Sequence, residues 1–182
     1  MIEELHIPGL RLFTPRVFGD ARGYFYEVYN AQLWRDAGVE DDFVQDNQAY
    51  SSRGVLRGLH YQRGEAAQSK LVRVIEGEVL DVAVDCRPDS STYGQHHSVL
   101  LSGENKLQFY VPRGFAHGYV VLSETALFAY KCDNFYAPQT EGGVRFDDPT
   151  LNIDWRIPAD EVQLSEKDEK LPEFGQHLPA DV

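Results

Sequence analysis

A histidine, an arginine, a lysine and a tyrosine stand in stretches of this chain that otherwise read as packed strands. His60 lies in Val55-Leu56-Arg57-Gly58-Leu59-His60-Tyr61-Gln62, where Val55, Leu59 and Tyr61 share one parity. Strand side chains alternate between faces, so His60 projects opposite Leu59 and Tyr61. Arg57 has the parity of Leu59, at a strand start where curvature can re-aim it. A buried His or Arg needs partners, and a lone histidine here is most simply a core residue with a satisfied hydrogen bond. The neighbours tilt that reading. Lys70 opens the next strand-like run, His117 enters another, and Tyr130 lies in the run from Thr125 to Cys132. Imidazole is the usual base near neutral pH, Lys or Arg stabilises an oxyanion, and a phenol donates a proton. Together they fit abstraction of a proton next to a carbonyl, through an enolate. Taken singly, Tyr130 reads as a core tyrosine, and Lys70 as either a solvent-facing lysine or a functional one.

The elements that must position these groups are short. With 182 residues the chain forms one domain that can bury a real core. Strand-like runs recur at regular spacing between Gly- and Pro-rich turns, which predicts an all-β sandwich or barrel. The spacing predicts a first strand from Leu10 through Phe18, another over Tyr24 to Tyr29, and one over Phe43 to Tyr50. Asn30 is a plausible cap for the one clear helix, Ala31 to Ala37, with Leu33, Trp34 and Ala37 as its apolar stripe and Gly38 ending it. Glu76-Gly77-Glu78 reads as a tight hairpin. Beyond it Leu80, Val82 and Val84 share one face, and Asp81, Ala83 and Asp85 the other. The polar centre of Phe43 to Tyr50 is either a solvated edge or a wall that orients a polar guest, and its position before the His60 strand favours the wall.

Composition excludes some functions. A net charge of -12 argues against nucleic-acid or anionic-membrane binding. An anionic small molecule still fits if a few Arg and Lys converge. The two cysteines, Cys86 and Cys132, form no CxxC pattern and suit a reducing cytosol. The N-terminus lacks the blocks of a signal peptide, and no apolar run approaches membrane-spanning length.

The run from Gln108 through Pro112, Gly114 and His117 resembles the second motif of the cupin jelly roll. The first cupin motif usually offers His-x-His and a downstream Glu to a metal, but here it reads His60-Tyr61-Gln62. A divalent site wants three or four placed ligands, and Lys70 nearby is a poor companion for a cation. The expectation is a barrel with no metal and no cofactor.

Longer stretches sharpen the likeness. They are Pro15-Arg16-Val17-Phe18-Gly19-Asp20 with Arg22-Gly23-Tyr24-Phe25-Tyr26-Glu27; Phe43-Val44-Gln45-Asp46-Asn47; Leu56 to Gln62; Lys70-Leu71-Val72-Arg73; Gly77-Glu78-Val79 with Asp81 to Asp85; and Pro112 to Gly118. On these the chain, over nearly all its length, resembles the dTDP-4-dehydrorhamnose 3,5-epimerases, the RmlC-like cupins. The resemblance implies a cupin-type jelly-roll β-barrel with few short helices. It implies epimerisation of a dTDP-linked 4-keto-6-deoxyglucose at C3 and C5. By the same resemblance His60 is the base, Asp168 its carboxylate partner, Lys70 the holder of the enolate oxygen and Tyr130 the opposed acid. Arg22, Glu27, Gln45, Asp46, Asn47, Arg57, His117, Glu141 and Lys167 match substrate-contacting positions, and Tyr136 an aromatic that stacks on thymine. The family implies a homodimer that exchanges N-terminal strands, so Arg22 and Glu27 would serve the neighbouring site, and the cysteine usage above leads to a cytoplasmic expectation. It also implies a C-terminal tail packed near the site. A single-site epimerase, or a silent sugar-nucleotide-binding cupin, are the rival expectations.

Overall fold

A computed structural model describes residues 1–182. Its elements in order are β1 (Ile2–Glu4), β2 (Arg11–Phe13), β3 (Phe18–Asp20), β4 (Gly23–Phe25), α1 (Ala31–Asp36), β5 (Gln45–Ser52), β6 (Leu56–Gln62), β7 (Lys70–Glu76), β8 (Glu78–Asp85), β9 (His96–Ser102), β10 (Gln108–Val111), β11 (Phe115–Val121), β12 (Thr125–Cys132) and β13 (Glu141–Gly143). One sheet runs β1-β2-β10-β7-β12-β5 and the other β13-β6-β11-β8-β9, while β3 and β4 form a separate ribbon. This is the jelly-roll arrangement, mostly β with one helix. That helix is too short to cross a membrane.

Strand alternation explains the layers. Val72 and Val74 of β7, Phe109 and Val111 of β10, and Phe128 of β12 point into the space between the sheets. They meet Val79 and Ala83 of β8, Val99 and Leu101 of β9, and Phe115 and Val121 of β11. Each of these buried Val, Leu and Phe side chains contributes roughly 1.5–3 kcal/mol. On the outer face of the five-stranded sheet, Leu59, Tyr61, Leu80, Val82 and Val84 are covered by Val144, Leu151 and Trp155. On the outer face of the other, Phe13, Leu71 and Tyr110 pack under Trp34 and Val39.

Several local expectations change. The stretch from Leu10 to Phe18 is two strands, because Pro15 has no N–H to give a ladder. The aromatic run after Gly23 stays strand only to Phe25. Asn30 does cap the helix, accepting from the N–H groups of Gln32 and Leu33, but only Trp34 of the expected stripe is buried. Gly77 does not close a hairpin. β7 pairs with β10 and β12, whereas β8 pairs with β9 and β11, so the chain turns a corner from one sheet to the other. Gly77 has φ +80°, and a Cβ there would fall 2.1 Å from the Thr125 carbonyl oxygen, so only glycine fits the corner.

Candidate active site

The space between the sheets is dry at one end and open at the other. The open end is a cavity of about 510 Å³ whose walls include Arg57, His60, Lys70, His117 and Tyr130. A second lobe of about 340 Å³ adds Gln45, Asn47, Tyr136 and Glu141. His60, Lys70 and Tyr130 line both lobes and so mark their junction.

A bulge brings Arg57 to the same side as His60. β6 and β11 are antiparallel, with His117 opposite His60 and Tyr119 opposite Arg57. Three residues of β6 therefore span two of β11, and the extra one inverts the alternation. The two backbones nearly touch there: a Cβ on Gly58 would lie 2.5 Å from the Gly118 Cα.

His60 Nε2 lies 2.5 Å from Asp168 Oδ1. The carboxylate comes from a short turn, Asp168–Lys170, near the end of the chain. Its backbone N–H donates to Ser165 Oγ at 3.2 Å. Burial alone would raise the Asp168 carboxyl. The hydrogen bond and charge of His60, with Ser165 and Lys167, outweigh it and hold the group below the ordinary Asp value. Asp168 is thus an anion near neutral pH. With Nε2–H donating to it, His60 keeps Nδ1 free to take a proton.

Lys70 and Tyr130 sit on the facing sheet, on β7 and β12. Burial lowers the Lys70 ammonium from its ordinary value, and the nearby Cys132, Asp81 and Glu141 pull it partly back. Burial pushes the Tyr130 phenol up to about 12, reinforced by Cys132 and Tyr119. A phenol so shifted keeps its proton through the neutral range. The base and the phenol therefore stand on opposite walls.

Other candidate residues divide. Gln45 donates through Nε2 to Asn47 Oδ1 at 3.1 Å and accepts from the Tyr136 N–H at 3.3 Å, which ties Tyr136 to that wall. Glu141 pairs with Lys167 at 2.5 Å beside the cavity. His117 pairs with Asp81 through contacts of 2.8 and 3.0 Å. Asp46 does not reach the cavity: it pairs with Lys131 at 2.9 Å on the outer face of the sheet. Arg22 and Glu27 do not reach it either. Arg22 is 90% exposed and grips Asp20 in the β3–β4 turn, and Glu27 accepts from Asn30 Nδ2.

Sequence reasoning gave no role to Asp81, Ser165, Tyr119 or Ser51. Asp81 carried a signal, since a carboxylate amid Val79 to Val84 must find a partner, but its partner depends on strand register. Gln62, where a cupin would offer a second histidine, has its amide committed. It donates to the carbonyls of Ala66 and Phe135 and accepts from the Ala137 N–H, fastening the loop that bears Tyr136.

Comparison with known proteins follows the same lines. A profile of the family described as dTDP-4-dehydrorhamnose 3,5-epimerase matches residues 4–176. An enzyme of that description from Pseudomonas aeruginosa is 54% identical over 172 residues, 94% of each chain. The crystal structure of one from Elizabethkingia anophelis is 55% identical, covers 96% of both chains and superposes with a TM-score of 0.92. A Legionella pneumophila dTDP-6-deoxy-D-glucose-3,5-epimerase, solved with dTDP-4-keto-L-rhamnose, is 48% identical. It covers 97% of this chain and 93% of its own, with a TM-score of 0.93.

Proposed function

The chain belongs to the dTDP-4-dehydrorhamnose 3,5-epimerase family, and from that premise we propose how its residues carry the reaction. It epimerises dTDP-4-dehydro-6-deoxy-D-glucose at C3 and C5 to dTDP-4-dehydro-L-rhamnose. The observation that carries the residue roles is the disposition of proton carriers. A histidine oriented by an anionic carboxylate stands on one wall, and a protonated phenol on the other.

The steps follow from that geometry. His60 removes the proton from the carbon beside the C4 carbonyl. Charge moves to the carbonyl oxygen, and Lys70, the cation at the junction of the lobes, holds it as an enolate. Tyr130 returns a proton to the opposite face, which inverts the centre. Repetition at the carbon on the other side of the carbonyl gives the double epimer. The residues at the cupin metal position do not suit a metal, since Gln62 stands in place of a histidine with its amide committed to backbone and no three His, Cys, Asp or Glu side chains converge there. The mechanism needs no cofactor.

Substrate contacts are assigned to Gln45, Asn47, Arg57, His117, Tyr136, Glu141 and Lys167, which line one lobe or the other. Arg22 and Glu27 are assigned to the site of a second copy. What supports this is the β3–β4 ribbon, which pairs with neither sheet and exposes Phe18, Tyr24 and Phe25. Sedimentation equilibrium giving a single chain mass would defeat that dimer. Both cysteines are unpaired, which suits the cytoplasm; fractionation of the source cells tests it.

The deciding experiment is incubation with dTDP-4-keto-6-deoxyglucose in deuterated water, with and without chelator, analysed by NMR. Wild type is expected to place deuterium at C3 and C5 with inversion at both, chelator or not. Label at one carbon only redirects the reading to a single-site epimerase. Tyr130→Phe is expected to incorporate label with retained configuration while forming little epimer, because base and enolate site remain. Inversion at the wild-type rate would make Tyr130 a wall residue.

A further inference from the structure

The strand that bears the base carries a second buried polar side chain, which the steps above leave idle. Gln62 has the parity of His60, ends β6 and lies on the wall of the smaller lobe. It is 5% exposed. Its amide makes three hydrogen bonds, and none of them belongs to the sheet. Nε2 donates to the carbonyls of Ala66 at 2.7 Å and Phe135 at 3.1 Å, and Oε1 accepts from the Ala137 N–H at 2.7 Å. A primary amide has two N–H groups to give, and both are spent. Gln62 therefore has no donor left for a guest.

The partners show what the amide holds. Phe135 and Ala137 stand immediately before and after Tyr136, so one side chain pins the peptide on both flanks of that tyrosine. Ala66 closes the short turn Gly64–Ala66 and anchors the amide from the other side. Tyr136 itself is 57% exposed. Core packing does not fix its ring, so the backbone beneath it must. The Tyr136 N–H adds one longer bond, to Gln45 Oε1 at 3.3 Å. One step earlier the loop is tied independently: Gln68 Nε2 donates to the Asn134 carbonyl at 2.7 Å, and Asn134 Nδ2 to the Glu65 carbonyl at 2.8 Å. The loop thus stays attached without Gln62, and what Gln62 adds is the seat of Tyr136. An exposed ring serves a guest well only when it is already held where the guest arrives.

We propose that Gln62 is a positioning residue for nucleotide recognition, setting Tyr136 to receive the base through the peptides on either side of it. This rests on the reading above in which Tyr136 contacts the nucleotide sugar. The test is a double-mutant cycle on the full-length protein: Gln62→Met, Tyr136→Ala and both together. Calorimetric titration with dTDP is paired with kcat and KM for dTDP-4-keto-6-deoxyglucose. Gln62→Met is expected to weaken dTDP binding roughly fivefold and to raise KM in parallel, with kcat within about twofold of wild type, because the base is held alike throughout the reaction. Tyr136→Ala is expected to weaken dTDP about tenfold, the worth of one base stacked on an aromatic ring. The double variant is expected to match Tyr136→Ala, since the seat has no value without its ring. An unchanged Kd in Gln62→Met overturns the proposal. So do effects that multiply in the double variant, which mark a role independent of Tyr136. A fall in kcat with Kd intact also overturns it, placing the effect on His60 in the same strand. Gln62→Glu keeps the bond from Ala137 and loses both donations, and it repeats the cycle if Gln62→Met does not fold. If neither folds, the residue is structural and the proposal fails. Tyr136→Ala at wild-type affinity would instead defeat the assignment of Tyr136 to the nucleotide, and the proposal with it.

Discussion

Two histidine–carboxylate pairs face each other across adjacent strands of one sheet, and they are built differently. His117 on β11 pairs with Asp81 on β8, the strand beside it. Its side chains are 7% and 0% exposed, and one imidazole nitrogen touches both carboxylate oxygens. His60 on β6 pairs with Asp168, 108 residues further along the chain. There the histidine side chain is 26% exposed to the cavity while the carboxylate is 5% exposed. The same two groups thus make a brace, one edge of whose imidazole lines the cavity wall, in one place and a tuned base in the other. Access decides which. A pair locked between neighbouring strands has its geometry set by the ladder and contributes to the integrity of the sheet. A pair with one member open to the cavity can exchange a proton with a guest.

The largest effect that tests this contrast is removal of the open imidazole. His60→Ala is expected to lower kcat about a thousandfold, within the usual range for a general base, with the melting temperature close to wild type. A rate near wild type would remove His60 from the role of base.

The carboxylates sharpen the comparison next, because each should report a different quantity. Asp168→Asn is expected to lower kcat roughly tenfold to a hundredfold, the worth of one charge-assisted hydrogen bond, with small change in stability. Asp81→Ala is expected to destabilise by about 1–3 kcal/mol, since it strands a buried imidazole. For a chain of this size that lowers Tm by roughly 2–4 °C per kcal/mol. Thermal melts and saturating rates on both variants decide the matter. If the two swapped signatures, the division into brace and base would be wrong.

The smallest effect is at acid pH. Asp168 is held below its ordinary value in the folded protein, so its contribution to stability is fully present above the unfolded value of about 4. It is lost as pH falls through the lower folded value. Wild-type stability should therefore drop more steeply below about pH 4 than that of Asp168→Asn, and the two should run parallel from pH 5 to 8. Denaturant midpoints across that range measure it. Parallel curves down to pH 3 would mean that the pair contributes nothing linked to protons.

How much of this was legible beforehand follows from what alternation can and cannot express. The opposed faces of Leu80, Val82, Val84 and of Asp81, Ala83 were readable, because period two is a property of a single strand. Which strands pair is not such a property, so Gly77 looked like a hairpin when it turns between sheets. Arg57 faced the wrong way on parity, and the bulge between its pairing with Tyr119 and that of His60 with His117 needs both strands to be seen. Asp168 had no local signal: its turn is polar and unpatterned, and only the family likeness pointed to it.

The late position of Asp168 has a consequence during synthesis. Every strand of both sheets is complete by Gly143, so the barrel has all its ladder partners while the chain is still being extended. Domains fold largely as units as they emerge, at about 5–20 residues per second. The oriented base cannot exist until Asp168 has been made and its turn has folded back onto β6. A growing chain therefore gains its architecture before its chemistry. A ribosome that stalls between Gly143 and Asp168 leaves a barrel whose histidine has no carboxylate to aim it, and turnover becomes a report on whether translation was carried through.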